Sequence, residues 1–171
     1  ALNPGIYTLS GNSNMLHALN VAGGISEYGS YRKIRLIRDE KTIEIIDIYD
    51  ILTEGVSGSK IRLRSGDVVF VEPRGNVVQL QGAFKRPTRY ELLKGQKLSS
   101  AIDYANGTTY DSDFSNIFLY RMIEGEITPI KISSISQFNG IEALDEDRIF
   151  LRRYSFRNVE ITGAVLRPGA Y

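Results

Sequence analysis

Apolar residues recur along the chain at two alternating spacings. Met15, Ala18, Leu19 and Ala22 stand at i, i+3, i+4 and i+7, one face of a helix. Leu98, Ala101, Ile102 and Ala105 repeat that spacing. Each run meets a pair suited to a left-handed helix stop, Gly23-Gly24 or Asn106-Gly107. Ser13 or Asn14 can cap the first helix, and the second lacks so clear a cap. After each helix the period drops to two. Residues 33–38 and 116–121 place Ile34 and Ile117, then Leu36 and Leu119, on one face of a strand. A charged turn follows each, then an isoleucine-rich strand at 42–48 or 127–132. Each series closes on a strand, at 64–73 or 144–153, where Asp67 matches Asp147 and Phe70 matches Phe150. The stretches at 52–60 and 134–140 read as loops of unequal length.

The order is therefore written twice, and a third mark extends it. Pro-x-x-Tyr occurs at Pro4/Tyr7, Pro87/Tyr90 and Pro168/Tyr171. Residues 76–90 align with 158–171. Val78/Val159 and Leu80/Ile161 alternate with polar residues, and Gly82/Gly163 bends the strand or allows close approach. The Pro-x-x-Tyr turn then closes a hairpin. Pro4-Gly5 and Pro168-Gly169 suit a type II turn, whereas Pro87-Thr88 predicts type I. The pattern predicts an α+β fold of tandem units, each one helix packed on a small mixed sheet, a plan resembling a β-grasp. A first unit lacking its first strand spans 1–73, a complete one spans 74–153, and residues 154–171 open a third. Units of about 80 residues bury a modest share of their surface, so neighbours are expected to support each other. The opening residues read as mid-domain sequence, which predicts a piece of a longer chain. Residues 158–171 offer a strand without its domain. They are expected to pair with an open sheet edge, within the chain or in a neighbouring copy.

Composition narrows the classes. An apolar share of 42% supports a core. Lys+Arg at 21 against Asp+Glu at 20 leaves no basic excess for nucleic acid. The absence of cysteine excludes a disulfide framework and thiolate metal sites. No apolar run is long enough to span a bilayer.

Candidate chemistry is sparse. His17 is the only histidine, so no second imidazole or thiolate joins it as a metal ligand, and it reads as a partly exposed structural residue. In the run Asp145-Glu146-Asp147, Asp147 repeats Asp67 and reads as turn chemistry. No nucleophile stands with a base, and no cofactor motif is present. Gly23-Gly24 follows a helix, where a phosphate cradle would precede one. Lys60, Arg62 and Arg64 alternate with Ile61 and Leu63. As a strand they would share one face, open to acidic sugars, to a neighbouring subunit's carboxylates, or to solvent alone. Lys85, Arg86 and Arg89 surround the second hairpin turn and suit carbohydrate or protein contact. Because Tyr7, Tyr90 and Tyr171 recur at one place in the repeat, they are expected to pack under the helix.

The ordered series resembles tandem SLBB domains (soluble-ligand-binding β-grasp) of the bacterial polysaccharide export family. It is carried by Gly163 to Tyr171, Ala22-Gly23-Gly24, the Arg-flanked strand 34–38, Asp47 to Leu52, and the closing strand 64–71 with Gly66-Asp67. The second unit departs from the pattern at Thr88, Asn106 and Glu146. The resemblance implies a non-catalytic, cofactor-free periplasmic module of an outer-membrane-associated exporter of capsular polysaccharide or exopolysaccharide. It further implies ring assembly with copies of itself, contact with inner-membrane export and polymerisation machinery, and either contact with the sugar or scaffolding alone. The alternative within the fold is a soluble receptor for a small ligand such as a cobalamin.

Overall fold

The computed structural model describes residues 1–55 and 59–154, and the backbone of two short strands at 160–161 and 169–170. Helix α1 (Met15–Val21) opens at Asn14, whose side chain accepts from the His17 backbone N–H, while His17 Nδ1 accepts from the Asn14 N–H. The histidine is thus half of a capping box. The chain then runs through β1 (Gly29–Arg38), β2 (Lys41–Ile46), helix α2 (Ile48–Glu54) and β3 (Val68–Pro73). These strands form one sheet, ordered β2-β1-β3 and antiparallel throughout. Met15 and Leu19 of α1 pack on Ile34, Leu36 and Ile46 of its inner face.

A second sheet follows from β4 (Asn76–Gly82), β5 (Arg89–Leu92), helix α3 (Leu98–Tyr104), β6 (Ser112–Ile123), β7 (Glu126–Ile132), a 3-10 turn (Ile135–Asn139) and β8 (Arg148–Arg153). Its order is β5-β4-β8-β6-β7, with β4 parallel to β8. Leu98, Ala101 and Ile102 of α3 pack on Val78, Leu80, Ile117, Leu119, Ile149 and Leu151. Gly82 takes φ 88 where β4 ends against β8, and a Cβ there would lie 2.0 Å from the Leu151 carbonyl oxygen. The close approach expected from the glycine is therefore made to the backbone of the parallel neighbour. Strands β9 (Glu160–Ile161) and β10 (Gly169–Ala170) pair with each other. Their register, Ala170 opposite Glu160, repeats that of Arg89 opposite Gln79. Among the described residues this segment pairs with itself and with no sheet edge. Gly163, Pro168 and Tyr171 lie outside the described residues.

The repeat extends into irregular detail. Strand β1 breaks register with β3 between Gly29 and Ile34, and β6 breaks register with β8 between Ser112 and Ile117. The Tyr28 carbonyl accepts from Arg74 N–H, as the Asp111 carbonyl does from Tyr154 N–H. Gly23 and Gly24 take φ 78 and 92, and Asn106 and Gly107 take 64 and 84, so both helices stop the same way.

The structure corrects several expectations. The stretch at 52–60 begins inside α2, which Asp47 caps through the Tyr49 N–H and Gly55 ends at φ 64. The stretch at 134–140 holds the 3-10 turn. Each helix-on-sheet unit therefore carries a second helical turn. The first sheet is not mixed, because β3 has no parallel partner corresponding to β4 among the described residues. Gly5 has no left-handed φ, so Pro4-Gly5 is not a type II turn. Without a facing strand the opening segment binds the end of α1 instead, Leu2 and Asn3 N–H donating to the Gly24 and Ala22 carbonyls. Tyr7 is correspondingly exposed, whereas Tyr90 is buried in the second core. Both hydroxyls still donate four residues back, Tyr7 to the Asn3 carbonyl at 2.6 Å and Tyr90 to the Arg86 carbonyl at 2.8 Å.

Candidate functional site

Two kinds of polar construction stand out, one repeated within each sheet and one between the sheets. In the first sheet Arg38 ends β1 and forks onto Asp67, Nε to Oδ1 and Nη2 to Oδ2, both at 2.7 Å. The same Nη2 donates to the Arg62 carbonyl, and Asp67 Oδ2 accepts from the Arg64 N–H. In the second sheet Arg121 forks onto Asp147 at 2.9 and 2.7 Å and donates to the Glu142 carbonyl, while Asp147 accepts from the Leu144 N–H. All four partners match across the repeat. Each clasp ties the end of a long strand to the turn entering the closing strand. The Arg38 hydrogen bonds hold the Asp67 carboxyl below the usual carboxylate range, against the opposing effect of burial. A bidentate pair of this kind is a fixed structural bond, closed to an incoming ligand.

The joint between the sheets is built on Arg32 and Glu91. Arg32 leaves β1 at its irregular stretch and is buried. Its Nε donates to Asp47 Oδ2 at 2.6 Å, and its Nη1 donates to Gln96 Oε1, to the Tyr104 hydroxyl and to the Glu91 carbonyl. The guanidinium carbon lies 4.6 Å from the Tyr49 ring centroid and 5.2 Å from that of Tyr104, and these rings meet edge to face. Burial lowers the basicity of this guanidinium, but the Asp47 and Tyr104 contacts outweigh it and raise its pKa. Glu91 reaches the other way from β5. Its carboxylate accepts from Ser30 Oγ at 2.7 Å, the Tyr31 N–H at 2.7 Å and the Gly75 N–H at 2.9 Å. Its own N–H donates to the Tyr49 hydroxyl, whose pKa burial pushes up. Ser30, Tyr31, Arg32, Asp47 and Tyr49 come from the first unit, and Gly75, Glu91, Gln96 and Tyr104 from the second.

The sequence-predicted cations lie elsewhere. Lys60, Arg62 and Arg64 are exposed, with Ile61 and Leu63 half-buried between them. The alternation is present, but this stretch is not a strand; the Leu63 N–H bonds to the Ser13 carbonyl and the Lys60 N–H to Glu44. It is a connection laid across the sheet rather than a ladder member. Lys85 and Arg86 are exposed beside the hairpin turn. Arg89 donates to Glu146 Oε1 at 2.6 Å, and Arg74 bridges Glu146 and Asp145. The acidic run is thus occupied by three arginines, Arg121 included. Among the described residues no group of three or more acidic or histidine side chains could hold a metal ion. The sequence did not single out Arg32, Glu91 or Tyr49. A charged residue inside the apolar run "YELL" was the available signal.

Two SLBB domain models match the sequence in tandem, one over residues 2–71 and one over 77–131. The chain belongs to the SLBB domain family. The two matches fall in series on its two helix-on-sheet units. Among curated proteins it is 33% identical over 117 residues to the EPS I polysaccharide export outer membrane protein EpsA of Ralstonia solanacearum. That match covers 66% of this chain and 31% of the relative. It is 33% identical over 81 residues to the polysialic acid transport protein KpsD of Escherichia coli, covering 47% of this chain and 14% of that protein. The SLBB pair thus spans less than a third of the relatives it matches. No described helix is long and apolar enough to cross a membrane, which says nothing of β-barrel strands.

Proposed function

We propose that this SLBB tandem is a non-catalytic module of a polysaccharide export protein, working in the periplasm as part of an outer-membrane-associated assembly of identical copies. Residues 1–73 and 74–153 form its two units, and 154–171 open a third. The observation that carries this is the buried joint of Arg32, Asp47, Glu91 and Tyr104. A joint of that kind fixes one SLBB unit against the next, which suits a spacer that must hold its shape in a large assembly. The names of the relatives supply polysaccharide export as the setting. In such an assembly the exposed Lys60, Arg62, Arg64, Lys85 and Arg86 face carboxylates of a neighbouring copy or of the polymer. The inner-membrane export and polymerisation machinery is the expected upstream partner.

The test uses the full-length protein with residues 74–153 replaced by a flexible linker, in cells lacking the native copy. Surface polysaccharide is quantified, and assembly size is read by light scattering of the purified protein. Loss of surface polymer together with a smaller assembly is expected. Undiminished export by the shortened protein would overturn the proposal.

A further inference from the structure

The two SLBB sheets have equivalent cores, each its own, but differ on the face turned away from the core. In the first sheet, Arg35 lies between Ile45 on β2 and Phe70 on β3, and Ile37 lies opposite Val68. The Arg35 cation is spent within the sheet. Arg35 stands 2.9 Å from Glu72 and its guanidinium lies over the Phe70 ring at 5.0 Å. The face is apolar and internally neutralised.

The second sheet replaces these residues position by position. Phe118 takes the place of Arg35, Tyr120 that of Ile37, Arg148 that of Val68 and Arg152 that of Glu72, while Phe150 keeps the place of Phe70. The register sets them in two adjacent rows. One runs Lys131, Phe118, Phe150, Gln81 across β7, β6, β8 and β4. The next runs Pro129, Tyr120, Arg148, Gln79, Arg89 and reaches β5. The core side chains Ile117, Leu119, Ile149 and Leu151 alternate with these and point the other way. The three rings are half-buried, and Lys131, Arg148 and Arg152 are exposed. Among the described residues no carboxylate lies within ion-pair distance of Lys131, Arg148 or Arg152. Arg89 at the far end is held by Glu146, and the charge of Arg152 acts on Asp113. The Phe118 and Tyr120 centroids are 6.3 Å apart, and Phe150 sits opposite Phe118 on the neighbouring strand.

We propose that this face binds an acidic polysaccharide, its sugar rings lying on Phe118, Tyr120 and Phe150 and its carboxylates meeting Lys131 and Arg148. Half-buried rings on a sheet are a flat, rigid platform for the C–H face of a pyranose. Flanking cations without partners select anionic groups, and Gln79 and Gln81 offer directed hydrogen bonds to hydroxyls. The chain as a whole carries a net charge of only +1, so attraction to this face comes from where its cations stand and not from an overall basic excess. The choice of a sugar polymer over other polyanions rests on the export function proposed above.

The experiment titrates the 171-residue chain with polygalacturonate oligomers, neutral dextran oligomers and an oligo-dT strand, following backbone amide shifts by NMR. Polygalacturonate is expected to shift amides of β4, β6 and β8, and dextran to leave them in place. The double variant Lys131→Gln/Arg148→Gln alters only exposed side chains and is expected to weaken polygalacturonate binding at least about tenfold. Phe150→Leu is expected to weaken it while retaining the fold's dispersed spectrum. Absence of polygalacturonate shifts on this face, or equal affinity in the double variant, overturns the proposal. Equal binding of oligo-dT to the same amides overturns the choice of sugar. The same double variant in the full-length protein should leave assembly size unchanged, so failure here is distinguishable from failure of the spacer role.

Discussion

Glu91→Ala removes the acceptor on which the joint between the SLBB units converges. Three donors lose their partner: Ser30 Oγ, the Tyr31 N–H and the Gly75 N–H. A hydrogen bond to a charged group contributes roughly 1.5–3 kcal/mol, so the gross interaction is roughly 4.5–9 kcal/mol. Against it stands the desolvation of a carboxylate on a residue only 6% exposed, several kcal/mol in order of magnitude. Truncation strands the donors and leaves a hole, and the net loss expected is about 3–5 kcal/mol. For a chain of this size that lowers Tm by on the order of 10 °C. Because two of the lost bonds, those from Ser30 and Tyr31, cross between units, the calorimetric transition should also broaden or split, the smaller first core melting earlier. Glu91→Gln keeps one acceptor oxygen but turns an NH2 toward a donor, so it should fall between the two. Differential scanning calorimetry of wild type, both variants and an exposed control, Glu126→Ala, decides the matter. A Tm within about 2 °C of wild type for Glu91→Ala, with one sharp transition, would refute a joint held by this carboxylate.

Three further outcomes are expected. The Asp67 carboxyl has a folded pKa below its unfolded value of about 4, so its contribution is complete at neutral pH and fades as pH falls from about 4 through the lower folded value. Urea midpoints taken across pH 2–7 should therefore show a shallower acid decline in Asp67→Asn. Gly82→Ala forces a Cβ onto the Leu151 carbonyl in a left-handed backbone and should cost about 3 kcal/mol or more by urea unfolding. Tyr90→Phe should cost about 1 kcal/mol and Tyr7→Phe less than half of that, because the Tyr90 hydroxyl bond is partly buried and the Tyr7 bond is exposed to water.

What could be read from the chain was local chemistry repeated in register. The stops at Gly23 and Asn106 announce themselves by residue type, and the i, i+3, i+4 spacing of Met15, Ala18 and Leu19 finds its strand partners through period alone. Helix α2 is not legible from spacing although its cap, Asp47, and its terminal Gly55 are both in view. The polar stretch after Leu52 outweighed them. Asp67 and Arg38 were each visible, but their pairing spans the sheet and no spacing rule connects them. The joint is hidden for the same reason: Arg32 and Tyr104 are 72 positions apart and meet only after both sheets are folded. The aromatic and cationic face of the second SLBB sheet is a property of register. Phe118 and Phe150 become neighbours only once β6 lies beside β8. Proline and glycine misled at Pro4-Gly5, where turn chemistry needs a facing strand to enforce it.

The irregular stretch of β1 that receives Glu91 has its copy in β6, with one difference. Ser30 offers a hydroxyl to the incoming acid, whereas the corresponding Asp113 is itself an acid, buried and holding Ser115 and Asn116. A glutamate arriving there would meet like charge at close range. The seat that Ser30 offers to Glu91 therefore has no equivalent at Asp113, and the two SLBB sheets present different chemistry at the same irregular stretch. One residue, serine or aspartate, thus decides whether that strand can receive a glutamate from its neighbour.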